Sequence, residues 1–477
     1  MTRKSRNDVA DPSRRRLLAG LAAIGAASAL PGCGNDHGNG TSPDALPTLP
    51  APEDSGIDHI VQVMMENRSF DHMLGWVPGA QTMQQRVFRN AAGELVPTFP
   101  LAADPAYGFQ GCGWADPAHG YDDGRVHLNN GAMDGFLLTE GTANDPDDRF
   151  PVGYYRREDL PFYAGVADHY TICDRYFHGI LSSTFPNRIY IHAGATDRNN
   201  NTLPYAQQAP STLPTIWDQL IARGISCANY FSDLPLTGLW GPKYLNITKP
   251  FNQFLIDAAT GRLPAVSYFD PFFGASLGES PAGISQDDHP QADVRDGQAY
   301  LTRIYNALRN SPNWERTLMI VTYDEWGGFY DHVVPPFAGV AGVEAEFNDG
   351  RLGFRTPCVI IGPRARRGHV SHLQFDPNSV INLIRWRWGL DRVGESPRNE
   401  TSLNMAYALD FDNPPDTSAP AFDSPEGRNG IPGLPFGMEC HLPIGKGTGV
   451  ERHPSLDGHQ ADWDALAQMC RRYGYIR

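Results

Sequence analysis

Ile60-Val61-Gln62-Val63-Met64-Met65-Glu66-Asn67-Arg68-Ser69-Phe70-Asp71-His72 is the stretch on which the fold class turns. A short run this apolar suits a strand buried on both faces, and such burial belongs to parallel sheets covered by helices. Ala265-Val266-Ser267-Tyr268-Phe269, Leu318-Met319-Ile320-Val321-Thr322-Tyr323 and Cys358-Val359-Ile360-Ile361 repeat the pattern, and each is expected as a buried parallel strand. Between them the spacing predicts helices over 213–223, closed by Gly224, over 296–309, and over 378–388, closed by Gly389. Working outward, the chain reads as an α/β protein, a three-layer sandwich around a mainly parallel sheet. After about residue 390 periodicity fades into Pro, Gly, Asn and Asp, with one more helix expected over 462–472.

Chemistry is written where two of these strands end. The first runs directly into Glu66 and Asn67, the Leu318–Tyr323 run into Asp324 and Glu325. In open α/β sheets ligands bind beyond the carboxyl ends of strands. Two acidic clusters brought together there would repel each other unless a cation lay between them. Glu66, Asn67, Asp324 and Glu325 offer only hard oxygen donors, a set suited to one divalent metal cation.

Ser182-Ser183-Thr184-Phe185-Pro186-Asn187-Arg188 supplies hydroxyls. Pro186 suits the first turn of a helix running on to Ala193, which leaves Thr184 beside its N-terminus, where free N–H groups favour an anionic oxygen. A threonine hydroxyl is a poor nucleophile at its own pKa, so metal coordination would be the activating device. Ser182 and Ser183 compete for the same role, and spacing does not separate the three.

These blocks carry a resemblance. Met64 through His72, Thr184-Phe185-Pro186-Asn187-Arg188 and Tyr323-Asp324-Glu325-Trp326-Gly327-Gly328-Phe329-Tyr330-Asp331-His332-Val333 resemble, in order, the bacterial phosphoesterase family that contains phospholipases C and a respiratory-burst-inhibiting acid phosphatase. Asp116-Pro117-Ala118-His119, Asn130 through Phe136 and Asp288-His289-Pro290 look like further blocks of that family, whereas Asp376-Pro377 stands where it often has Asp-His. The resemblance implies an alkaline-phosphatase-like fold and a single-metal site held by Glu66, Asn67, Asp324 and Glu325. It implies Thr184 as nucleophile, forming a covalent phospho-threonine, with His119 and His289 lining the phosphate pocket as proton donors or oxyanion stabilisers. Phospholipase C-type cleavage of a phospholipid is the expected reaction, and acid phosphatase action on phosphomonoesters the alternative.

Two other motifs and one non-catalytic reading compete with this. Gly274-Ala275-Ser276-Leu277-Gly278 matches the nucleophile elbow of serine esterases, but it is flanked by loop-forming residues rather than by a strand and a helix. Thr184 through Arg188 echoes the sulfatase signature, yet a threonine cannot be oxidised to the required aldehyde. A lipid-tethered binding protein would not need Glu66, Thr184 and Asp324 together.

The N-terminus reads as an address. Arg14-Arg15-Arg16 precedes an apolar stretch, Leu17–Leu30, too short to span a bilayer and suited to a twin-arginine export signal. Leu30-Pro31-Gly32-Cys33 then looks like a lipobox with Cys33 as the lipidated residue, cleavage without lipidation being the alternative. The expected organisation is a lipoprotein signal over 1–33, a flexible Gly/Pro/Ser-rich tether over 34–55, a catalytic domain over 56–412 and an extension packed on it over 413–477. The protein is expected in the periplasm or cell envelope, anchored to a membrane by lipid. Removing the six basic and two acidic residues of positions 1–33 leaves 33 Lys/Arg against 52 Asp/Glu. Such a surface repels phosphate backbones, so no nucleic-acid partner is expected. Beyond Cys33 six cysteines remain, at 112, 173, 227, 358, 440 and 470, enough for disulfides or for buried free thiols.

Overall fold

The continuous apolar runs become a single eight-stranded sheet: β1 His59–Met65, β2 Thr171–Cys173, β3 Cys227–Phe231, β4 Thr248–Pro250, β5 Val266–Asp270, β6 Thr317–Tyr323, β7 Val359–Ile361 and β8 His369–Ser371. Their spatial order is β8-β2-β7-β6-β1-β5-β3-β4. The computed structural model describes residues 46–111, 114, 116–139, 142, 145, 147–201, 210–274, 284–290, 292–425, 435–436 and 454–477, the side chains of 454–460 excepted. Cys33, Cys112, Ser276 and Cys440 lie outside these residues.

β1 sits at the centre, parallel to β6 on one side (Ile60 opposite Leu318, Met65 opposite Tyr323) and to β5 on the other. All seven residues of β6 and six of the seven in β1 are buried. Because successive side chains point to opposite faces, burial of consecutive residues means that both faces are covered. The helices supply the cover: α1 Phe70–Leu74, α2 Tyr121–Leu128, α3 Pro161–His169, α4 Thr184–Ala193, α5 Ile216–Ala222, α6 Phe251–Ala259, α7 Val294–Arg309 and α8 Pro377–Trp388. Helix α7 packs on α3 and α6, whereas α4 packs on α5 and α8, giving the three layers. Each buried Val, Ile, Leu or Met of the central strands contributes about 1.5–3 kcal/mol.

One expectation is corrected. Cys358–Ile361 does not run parallel: β7 lies antiparallel to both β6 (Met319 opposite Ile361) and β2 (Val359 opposite Ile172). A strand covered on both faces needs apolar residues whichever way it points, so direction was not written in its composition. Helix ends follow their caps. Asp376 accepts from the Ser379 N–H and the Ser379 hydroxyl from the Asp376 N–H, starting α8, which closes at the left-handed Gly389.

Residues Pro47–Arg477 cluster as one compact unit. At the end of the stretch read as the tether, Ser55 is buried and its carbonyl accepts from Arg364 Nε. The last helix, α9 Pro454–Tyr473, begins earlier than expected and buries Trp463, Leu466, Met469 and Cys470. Cys173, Cys227, Cys358 and Cys470 are free thiols.

Candidate active site

The parallel register of β1 and β6 sets their exits side by side, so Glu66 and Asp324 emerge together. The two exit loops then interlock. Asn67 takes a left-handed φ of 58° and donates its N–H to Asp324 Oδ1 (3.2 Å), which also accepts from the Glu325 N–H (2.8 Å). Asparagine tolerates that conformation better than most residues. The Arg68 N–H donates to the Glu325 carbonyl (3.1 Å), and the Gly327 N–H to Glu325 Oε2 (2.6 Å). Gly327 has φ 62°, and a Cβ there would stand 2.1 Å from the Asn67 carbonyl oxygen.

Arg188 of α4 joins the two carboxylates. Its Nη2 lies 3.3 Å from Glu66 Oε1 and its Nε donates to Asp324 Oδ2 (3.1 Å), while Nη1 and Nη2 donate to the carbonyls of Met64 and Met65. All three side chains are buried. Thr184 is four residues earlier on the same helix, so its hydroxyl shares the face that carries Arg188. Thr184 is fully buried and its Oγ1 makes no hydrogen bond. Its neighbours are occupied. The Phe185 N–H is bonded to Asn201 Oδ1 (2.7 Å), and the Ser182 hydroxyl donates to the Asn199 carbonyl (2.5 Å). Asn187 Nδ2 donates to the carbonyls of Ile180, Ser182 and Ser183, which fixes the loop leading into the helix.

Two histidines face this group. His119 Nδ1 bonds the Pro117 carbonyl (2.7 Å) and His289 Nδ1 the Pro290 carbonyl (3.1 Å). A carbonyl only accepts, so each Nδ1 carries a proton and each Nε2 is turned inward. His119 Nε2 lies 3.3 Å from Asn67 Nδ2 and 3.8 Å from Glu325 Oε1; His289 Nε2 lies 3.6 Å from Asp116 Oδ2. The rings are 6.2 Å apart, and Asp116, His119 and His289 form one buried group of donor atoms. Asp116 and Arg188 were present in the motif blocks but had no assigned role. A lone charge in a block ordinarily reads as solvent-facing, and its burial depends on partners far along the chain.

Burial governs the electrostatics. It raises Glu66 well above the usual carboxylate range, with Asp324 adding to the rise and Arg188 opposing it. It likewise raises Asp324 in spite of Arg188, carries Glu325 to about 8 and Asp116 to about 6. Burial alone would lower His119, but Glu325 and Asp116 more than reverse it, to about 9. The four buried carboxyls Glu66, Asp324, Glu325 and Asp116 thus face two buried arginines, Arg188 and Arg68, and His119, so carboxyls outnumber arginines at this site. Glu66 Oε1, Asn67 Oδ1, Glu325 Oε1 and Thr184 Oγ1 are all buried oxygens without a hydrogen bond, hard donors of the kind a divalent cation takes. Asp324 differs from the other three expected ligands, since both its oxygens already accept hydrogen bonds within the protein.

A second acidic group, Asp71, Asp331 and His332, is saturated instead. Arg355 clamps Asp331 through Nε (2.9 Å) and Nη2 (3.0 Å) and reaches Asp71 (3.4 Å), while His332 Nδ1 bonds Asp71 (2.5 Å). This network ties the far ends of the same two exit loops to each other.

Comparison with known proteins follows the same residues. The model of a family described as the Phosphoesterase family matches residues 57–391. Phospholipase C A of Mycobacterium tuberculosis (strain ATCC 25618 / H37Rv) is 29% identical over 516 aligned positions, covering 93% of each chain. Non-specific phospholipase C6 of Arabidopsis thaliana is 30% identical over 347 positions, 66% of this chain and 63% of that one, so the chain spans less than two thirds of this plant relative's length. Among solved structures, a protein in the alkaline phosphatase superfamily from Vibrio parahaemolyticus aligns with a TM-score of 0.32 at 12% identity, over 49% of this chain and 61% of that one.

Proposed function

The chain belongs to the Phosphoesterase family, and from that premise we propose that it is a metal-dependent phosphoesterase of the phospholipase C type, cleaving a phospholipid through a phospho-threonine intermediate. The observation that carries the reading is the Thr184 hydroxyl: buried, without a hydrogen bond, and on the helix face whose Arg188 holds Glu66 and Asp324. A divalent cation held by Glu66, Asn67 and Glu325, with Asp324 behind them, would supply positive charge beside the attacking and non-bridging oxygens. Thr184 Oγ gives up its proton to water and forms the bond to phosphorus as the bond to the leaving alkoxide breaks, and an inward-turned histidine Nε2 protonates that alkoxide. His119 and His289, whose rings lie 6.2 Å apart and whose Nδ1 atoms are held by backbone carbonyls, are the two candidates for this role. Water then cleaves the phosphothreonine and regenerates the hydroxyl. Arg188 keeps Asp324 and Glu66 from separating.

Named phospholipases C among the relatives support the phospholipid substrate. The test is a panel of p-nitrophenyl phosphate, p-nitrophenyl phosphocholine and phosphatidylcholine vesicles, each with and without chelator. Chelator-sensitive release of diacylglycerol and phosphocholine from vesicles is the expected result. Turnover of the monoester alone would make the protein an acid phosphatase.

For the location, no helix of the described residues is long and apolar enough to cross a membrane. The paired arginines, the short apolar core and the lipobox support attachment through a lipid on Cys33. Wild-type protein is then expected to partition with membranes and Cys33→Ser to be soluble or unprocessed. Equal partitioning of the two forms would refute the anchor.

A further inference from the structure

The turn that presents Thr184 is held from a distant part of the chain. Thr184 and Phe185 begin α4, and the first N–H groups of any helix have no partner inside it, so the helix does not by itself fix where its first residues lie. The Phe185 N–H is bonded to Asn201, and the Phe185 ring, fully buried, meets the edge of Trp463 at 5.3 Å and 78°. Trp463 belongs to α9 and is itself buried. It also meets Phe273, at 4.7 Å and 36°, and the Phe273 ring lies 5.3 Å beneath the Arg188 guanidinium. One indole therefore touches the neighbour of the proposed nucleophile and the ring that backs the arginine between Glu66 and Asp324.

The helix that carries it is firmly seated. Cys470 Sγ bonds the Pro235 carbonyl (3.6 Å), Tyr475 donates to the Gly241 carbonyl (2.8 Å), and a Cβ at Gly238 would stand 2.4 Å from Cys470 Sγ and 3.5 Å from Leu466. Every residue of the site lies within the 57–391 family segment; Trp463 lies well beyond it.

We propose that Trp463 is a positioning residue: α9 wedges its indole between Phe185 and Phe273, setting the Thr184 hydroxyl against the Arg188-bound carboxylates. The proposal rests on the reading of Thr184 as nucleophile. A displaced nucleophile loses rate steeply, since a misplacement of about 1 Å can cost about a hundredfold. Substrate binding, made elsewhere in the pocket, changes little.

The test uses the full chain and whichever substrate the panel shows to be turned over. Trp463→Ala is expected to lower kcat by roughly 30- to 100-fold with KM within about threefold, and Trp463→Phe to recover most of the loss. Leu466→Ala, buried on the same helix against Gly238, controls for loosening: it is expected to lower the melting temperature and leave kcat unchanged. Should Trp463→Ala be recovered unfolded, Trp463→Leu carries the same comparison, with a loss of about tenfold expected. A folded Trp463 variant with wild-type kcat, or a Leu466→Ala enzyme that loses as much kcat as Trp463→Ala, would overturn the proposal. Phosphoryl trapping on Thr184 in the wild type keeps the two readings apart: an unlabelled Thr184 overturns the nucleophile and this proposal together, whereas a labelled Thr184 with an inert Trp463 overturns this proposal alone.

Discussion

Thr184→Ala will lower kcat by about a thousandfold or more, on the order of 4 kcal/mol of barrier, because water in the vacated volume is neither positioned nor activated as the hydroxyl is. Thr184→Ser keeps the hydroxyl and will retain substantial activity. Ser182→Ala will be mild by comparison, since its hydroxyl is spent on the Asn199 carbonyl and only shapes the turn. In an acid-quenched reaction with a slowly dephosphorylated substrate, peptide mass spectrometry will place the phosphoryl group on Thr184. Serine-esterase chemistry would instead label Ser276, and direct attack by water would label nothing. Activity within tenfold of wild type in Thr184→Ala would rule out covalent catalysis at this residue.

Removing the cation will have the second large effect. Elemental analysis should find about one divalent ion per chain, and a chelator should reduce activity by at least about a hundredfold, restored on adding metal back, since charge stabilisation by a metal amounts to several kcal/mol. Asp324→Ala is a poor probe of this site. It would leave Arg188 buried with one carboxylate fewer, and breaking a buried pair costs about 3–5 kcal/mol, so lost metal and lost fold would be confounded. Glu66→Gln with Glu325→Gln keeps shape and volume and leaves Arg188 its hydrogen-bonded Asp324, so the buried arginine retains a carboxylate. Metal should then be lost from a folded protein whose melting temperature no longer rises when metal is added. Stoichiometric metal in that double variant would sink the assignment.

The central strands were legible because burial on both faces forces an unbroken apolar run, and the parallel pairing of β1 with β6 put Glu66 and Asp324 where the sequence had suggested. The direction of β7 was not legible, because its composition is the same either way. Helix α4 was readable from Pro186, but the burial of Arg188 was not: its partners come from two strands more than a hundred residues away. Asp116 stood in a quoted block without a role, since only the fold brings His289 to it. Helix α9 was recognised by its periodicity, whereas its landing place against Phe185 and Phe273 is a long-range packing fact that no local pattern encodes.

The position of β1 at the centre of the sheet also sets a timetable. Ile60 emerges from the ribosome early, yet its partner Leu318 comes roughly 250 residues later, a wait of tens of seconds at about 5–20 residues per second. Until β5 emerges the central strand is an unpaired Ile/Val/Met segment, and until β6 follows it keeps one open edge, the sort that associates with other chains. Nascent chains ending before Thr317 already hold Glu66, His119 and Thr184, but have nothing to bring them together. Yield in a cell should therefore depend on whatever shields the growing chain, and functional fragments are not to be expected from its N-terminal half.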